Sequence, residues 1–150
     1  MSIAPAGIEA ALAAARAHPL SSRRTLLVAV LLDNFCDQAF EALRRSAPTR
    51  VFEAEDVLAF RERLRAQSPA LGLIFDLCAI TPDGPRLEIR AVEVPIADYG
   101  GLSIEDFMVS LYNANTVQRI VIILPDASQR LAHEVLGQAF ADLGRLQLSA

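Results

Sequence analysis

The sequence predicts an α/β domain. The expected architecture is three-layered: a mostly parallel sheet of about five strands with one antiparallel hairpin, and helices on both faces. Three observations lead there. Short apolar runs such as TLLVAVLL (25–32) and LGLIFDLCAI (71–80) have the length and content of strands buried on both faces. Segments with apolar residues at helical spacing alternate with these runs, as in layered α/β folds. Pro82-Asp83-Gly84, just before RLEIRAVEVPI (86–96), is a turn signal of the kind that joins two arms of a hairpin.

Taken in order, Pro5 opens an alanine-rich helix with Ile8, Leu12 and Ala15 on one stripe, ended by Pro19-Leu20-Ser21-Ser22. Its apolar face is narrow, which fits an arm packed on a neighbouring subunit. Strand 25–32 follows, then Asp33-Asn34 as a cap, then a helix with Phe35, Ala39, Phe40 and Leu43 at helical spacing. A short strand is expected at 49–52. The next helix turns Val57, Phe60 and Leu64 inward, with acids in its first turn and Arg61, Arg63 and Arg65 toward its end, the sense its dipole favours.

After the strands at 71–80 and 86–96, Ala97-Asp98-Tyr99-Gly100-Gly101 forms a loop. The second strand changes alternation near Ala91, which predicts a bulge or a crossing between environments. Ser103 and Asp106 have the spacing of a capping box before a helix whose apolar set is Ile104, Phe107, Met108 and Leu111. Val117–Leu124 is the last strand. Pro125-Asp126-Ala127-Ser128-Gln129 caps a final helix with Leu131, Val135, Leu136, Phe140 and Leu143 on its core face. No linker or low-complexity tract divides the chain. It is expected to be a single domain, 1–150, with residues 1–20 as its N-terminal helical arm.

Composition narrows the function. Hydrophobic residues make up 53% of the chain, above the usual range of about 45–50%, and the mean hydropathy is +0.32. No apolar run reaches the roughly 18–20 residues of a membrane helix. The excess therefore points to cover by another chain, with a homodimer as the expected state. A net charge of −4 argues against nucleic acid as a partner. All 14 basic residues are arginine. With no lysine, P-loop, Schiff-base and lysine-base chemistries are excluded.

Cys36 and Cys78 lie far apart in apolar surroundings and read as free thiols of a reducing compartment. Glu9 interrupts the N-terminal apolar stretch and no early basic cluster precedes it, which favours the cytoplasm over secretion. No cofactor or metal is called for. His18 and His133 have no orienting partner nearby in sequence, and no GxSxG stands beside a serine. Cys36, as a nucleophile early in a helix, would be opposed by Asp33 and Asp37.

Two acidic constellations remain. If the first and last strands are parallel neighbours, Asp33, Asn34, Asp126 and Ser128 gather at strand ends where ligands bind, although Asp33 or Asn34, and Asp126, are also explained as helix caps that need no ligand. This arrangement would serve acid–base or metal-assisted hydrolysis of a small molecule. Asp76 and Glu88, on the two arms of a hairpin, resemble the paired carboxylates of metal-dependent nucleases, with Arg90 where those enzymes carry lysine. The alternative for the second group is an exposed strand face with Arg86, Glu88 and Arg90 pairing across the hairpin.

Tyr99 and Tyr112 bracket the helix that starts near Ser103, too far apart for one pocket within a subunit but suited to an interface. In Tyr112-Asn113-Ala114-Asn115 the asparagines suit a helix end. That leaves Tyr112, with Asn115 beside it, as the residue expected at a partner surface. The reading that follows is a non-catalytic cytoplasmic accessory protein that self-associates and binds a protein partner or small ligand, away from membranes.

Overall fold

The longest element runs straight through the first expected strand. A single helix spans Ser22–Ser46, and the run 25–32 forms its first half. The structure, a computed structural model, describes residues 6–46, 56–93, 103–112 and 116–149. These form six helices and one antiparallel sheet: α1 (Ala6–Ala17), α2 (Ser22–Ser46), α3 (Val57–Gln67), α4 (Pro69–Ala79), β1 (Arg86–Glu93), α5 (Ile104–Tyr112), β2 (Thr116–Ile123), β3 (Gln129–Leu131) and α6 (Ala132–Ser149). The sheet has three strands in the order β1-β2-β3. The expected five-stranded, mostly parallel sheet is thus replaced by a mostly helical fold.

The burial pattern of α2 shows why. Thr25, Val28, Ala29, Leu32, Phe35, Cys36, Ala39 and Phe40 are buried, which is one stripe at the 3.6-residue period. Leu26, Leu27 and Val30 face out. The expected break at Asp33-Asn34 does not form, because neither residue is a strong helix breaker and no glycine or proline stands there. Leucine, a good helix former, supplies half of the run. Ser21 starts the helix by accepting the N–H of Arg24 (3.2 Å), and Arg44 and Arg45 sit at its C-terminal end, where the dipole favours cations.

The run 71–80 is likewise helical. Ser68 caps α4, with Pro69 in the first turn, a position where its missing N–H costs nothing. Leu71, Ile74, Phe75 and Leu77 are buried. Ile80 ends the helix in the left-handed conformation, φ 50°. The Pro-Asp-Gly turn closes with the N–H of Gly84 on the carbonyl of Thr81 (3.1 Å). It therefore joins a helix to β1, not two strands.

β1 pairs with β2, from Arg86↔Ile123 to Glu93↔Thr116, without interruption. Of the two readings of the change near Ala91, the bulge is absent from 86–93, and Val94 and Ile96 lie outside the described residues. The change of alternation instead reflects two faces with different cover. Partners directly opposite share a face, so Leu87 and Ile122 lie together on the face of the main core, with Ile89 beside Ile120. On the other face lie Val117, Arg119 and Val121, opposite Val92, Arg90 and Glu88.

Pro125–Ser128 does not cap the last helix. The N–H of Leu124 donates to Ser128 O (2.8 Å) and that of Ala127 to Leu124 O (2.9 Å), turning β2 back into β3, with Ala127 at φ 70°. Only then does α6 begin. It packs on α2, α4, β2 and β3 and buries Val135, Leu136, Ala139 and Leu143.

The N-terminal helix buries Ile8, Leu12 and Ala15 against α2 and α6 of its own chain, so its stripe serves the protomer's core. The expected strand at 49–52 lies outside the described residues. Among the described residues no helix is long and apolar enough to cross a membrane.

A polar tie holds the α3–α4 corner to α6. Ser68, fully buried, receives the N–H of Leu71 (3.2 Å) and donates its hydroxyl to Asp142 Oδ2 (2.5 Å). Asp142 Oδ1 accepts from Gln138 (2.8 Å) and Arg145 (2.6 Å). Ser68→Ala removes a cap and strands a buried carboxylate oxygen. A loss of about 2 kcal/mol in urea unfolding is expected, and a loss below ~0.5 kcal/mol would show that solvent replaces the bond.

Candidate interaction surface

Two sites expected from sequence are separated by the fold. Asp33 and Asn34 lie in the middle of α2, while Asp126 and Ser128 lie in the β2–β3 turn. The parallel strand ends that would have gathered them do not exist. Asp126 Oδ1 accepts both the N–H (2.9 Å) and the hydroxyl (2.5 Å) of Ser128, an arrangement that stabilises the turn itself. The Ser128 hydroxyl holds the Asp126 carboxyl below its ordinary value. Asn34 is exposed.

Asp33 is taken up by Arg61 of α3. The guanidinium donates to Asp33 Oδ1 (2.7 Å), Asp33 O (2.8 Å) and Asp37 Oδ1 (2.9 Å), and lies 4.6 Å from the centre of the Phe75 ring. Burial works against the Arg61 charge, but the hydrogen bonds to Asp37 and Asp33 outweigh it and raise its pKa. Beneath this cluster, burial pushes the Cys36 thiol up to about 12 and Cys78 to about 11. Both are poor nucleophiles at neutral pH. Asp76 is on α4, bonded to Arg65 (3.0 Å), and Glu88 is on β1 between Arg86 and Arg90. The hairpin that would pair the two carboxylates is absent, and Glu88 finds its partners along its own strand.

The chain's two histidines do share a place, which their sequence positions conceal. His18, at the α1–α2 corner, and His133, early in α6, line one cleft of about 970 Å³ with Arg16, Ser103, Asp106 and Arg119. His133 Nε2 shares a hydrogen bond with Thr25 Oγ1 (3.2 Å). Burial lowers the pKa of His133, helped by Arg119 and Arg16. Thr25 is fully buried, so its hydroxyl is closed to a substrate and the pair ties α6 to α2. Charges in the cleft nearly cancel, with Glu105 and Asp106 against Arg16 and Arg119. Among the described residues no group of three or more His, Cys, Asp or Glu is placed to hold a metal ion.

What the described surface does offer is apolar. The helix α5 is capped by Ser103, whose hydroxyl accepts the N–H of Asp106 (3.1 Å). The Asp106 carboxylate does not return to the cap. It takes Arg119 Nη2 of β2 (2.9 Å), a pair in which both side chains are about three-quarters covered. A polar contact thus anchors α5 to the sheet, and the apolar stripe turns outward. Ile104 is 84% exposed, Leu111 56%, Met108 48% and Phe107 38%. These are positions i, i+3, i+4 and i+7 of one helical face, the pattern by which a helix docks in a groove. A second group, Leu26, Leu27 and Val30, stands out on α2. Of the residues expected at an interface, Tyr112 is the last residue of α5, while Tyr99 and Asn115 lie outside the described residues.

Comparisons with protein-family models, with curated proteins and with solved structures found no match to this chain.

Two outcomes test these assignments. Arg61→Lys keeps the charge but cannot reach Asp33 and Asp37 together, and should lose about 1–2 kcal/mol in urea unfolding. His133 has a folded pKa below its ordinary 6.5, so its contribution to stability is complete above about pH 6.5 and fades as the unfolded chain takes up the proton first. Thermal melts at about pH 7.5 and about pH 5.5 should therefore differ less for His133→Gln than for the wild type. An equal difference would mean His133 does not contribute.

Proposed function

We propose that the protein is a non-catalytic accessory protein of the cytoplasm that self-associates and holds a protein partner on the outward stripe of α5. The supporting observation is the stripe itself: large apolar side chains on the outward side of a helix that the Asp106–Arg119 pair ties to the sheet. Full burial of such a side chain is worth about 1.5–3 kcal/mol, so leaving Ile104, Met108 and Leu111 about half exposed or more favours cover by another surface. Less supports a small-molecule hydrolase at Asp33 and Asp126. Each carboxylate already has a partner, and they stand on different elements.

The triple variant Ile104→Ser, Met108→Ser, Leu111→Ser separates a docking stripe from a core face. If the stripe serves a partner, each substitution should change stability by about 0.5 kcal/mol or less. A core face would lose about 2–5 kcal/mol per site. Light scattering across a concentration series should show the wild type self-associating, and a strict monomer would remove that part of the reading. A protein that co-purifies with the wild type in fixed stoichiometry should be lost from the triple variant.

A further inference from the structure

Among the described residues the sheet ends on one side with β1, eight residues long, and on the other with β3, three residues long and followed at once by α6. Among the described residues no strand pairs with the outer edge of β1. An open edge is a template for another strand, so its side chains decide what it accepts.

We propose that self-association joins β1 to β1 of a second copy, antiparallel, about a two-fold axis at Ile89. The inference rests on the reading that the protein self-associates and names the surface that does it. Across such an axis, opposite residues must share a face, so only registers that centre on a residue are allowed. Centring on Glu88 sets Glu88 against Glu88 and Arg86 against Arg90 of the second copy. Centring on Arg90 sets Arg90 against itself and Leu87 against Glu93. Centring on Leu87 pairs Arg86 with Glu88 but brings Pro85 into the ladder within two residues.

Centring on Ile89 sets Glu88 against Arg90 and Arg90 against Glu88, a neutral quartet of opposite charges directly across the joint. On the other face Leu87 meets Ala91 and Ile89 meets Ile89. Opposite charges and apolar pairs at such positions each favour pairing, and like charges oppose it.

The surroundings agree with this register. Ile89 is 47% exposed on the face that carries the main core, so its side chain is available to its twin. Glu88 and Arg90 are already paired along the strand, and their side chains are held where the second copy's would arrive. An edge guarded against self-pairing is best served by one sign of charge. This one alternates Arg86, Glu88, Arg90, which is self-complementary. The joint makes a continuous sheet from two three-stranded halves. Because the axis is normal to the sheet, both α5 helices fall on the same side, giving a partner two stripes.

Sedimentation equilibrium on the full chain tests this. Glu88→Arg and Arg90→Glu should each weaken the dimer at least about tenfold, since each puts like charges across the joint. The double variant Glu88→Arg, Arg90→Glu restores opposite signs and should return to within about threefold of wild type. A mixture of the two single variants should form the heterodimer that neither forms alone. Ile89→Cys should cross-link as a dimer on mild oxidation, which keeps the register testable should a charge variant fold poorly.

A wild-type dimer unaffected by either single variant, or broken instead by Leu111→Glu, would overturn this surface while leaving self-association standing. A wild type monomeric at every concentration would remove both.

Discussion

Everything in the main core depends on the stripe that α2 turns inward. It is a helix of 25 residues, roughly 37 Å long at 1.5 Å per residue, and its buried side chains run from Thr25 to Phe40. Helices α1, α3, α4 and α6 all pack on it, and among the described residues the sheet reaches the same core through Ile120, Ile122 and, more loosely, Leu87. If 25–32 were a strand, its side chains would alternate between two faces and the stripe would be lost. The helical choice for this segment therefore decides the class of the whole fold.

Around that apolar centre, orientation is set by a few polar ties. Arg61 fixes α3 on α2 by bridging Asp33 and Asp37, with Phe75 of α4 beneath its guanidinium. Arg65 lies across Gly72 to reach Asp76, and a Cβ there would stand 2.7 Å from its Cγ, so glycine sets how closely α3 and α4 approach. Ser68 and Asp142 join that corner to α6. Dispersion and burial are non-directional, whereas these contacts have geometry. They select one packing from several that would bury similar area.

The same division explains the surface. Arg119 holds α5 by donating to Asp106, while Ile104, Met108 and Leu111 of that helix stay about half exposed or more. The sequence shows the stripe Ile104, Phe107, Met108 and Leu111 clearly, because its spacing is helical. It cannot show which way the stripe faces, since an inward and an outward apolar face have the same periodicity. The shared cleft of His18 and His133 is similarly hidden, because the turn at Pro19 and the packing of α6 on α1 bring together residues far apart in the chain. Glu88 and its partners Arg86 and Arg90 are legible as an alternating charge pattern; what the structure changes is that they pair along one strand and not across a hairpin.

By itself, the sequence determined the local periods: the stripes of α1, α3 and α6, the strands β1 and β2, the cap at Ser103, and the chemistries that a chain without lysine cannot perform. Those are properties of neighbours within a few residues, where spacing and side-chain type are sufficient. Only the tertiary structure decided that 25–32 and 71–80 are helical, that β1 pairs with β2, and that the stripe of α5 is turned out. A continuous apolar run satisfies either a buried strand or a buried helix, and the choice falls to whichever gives its backbone and its side chains partners at once. For Leu32, Ile74 and Phe75 those partners are other helices, and no local pattern records them.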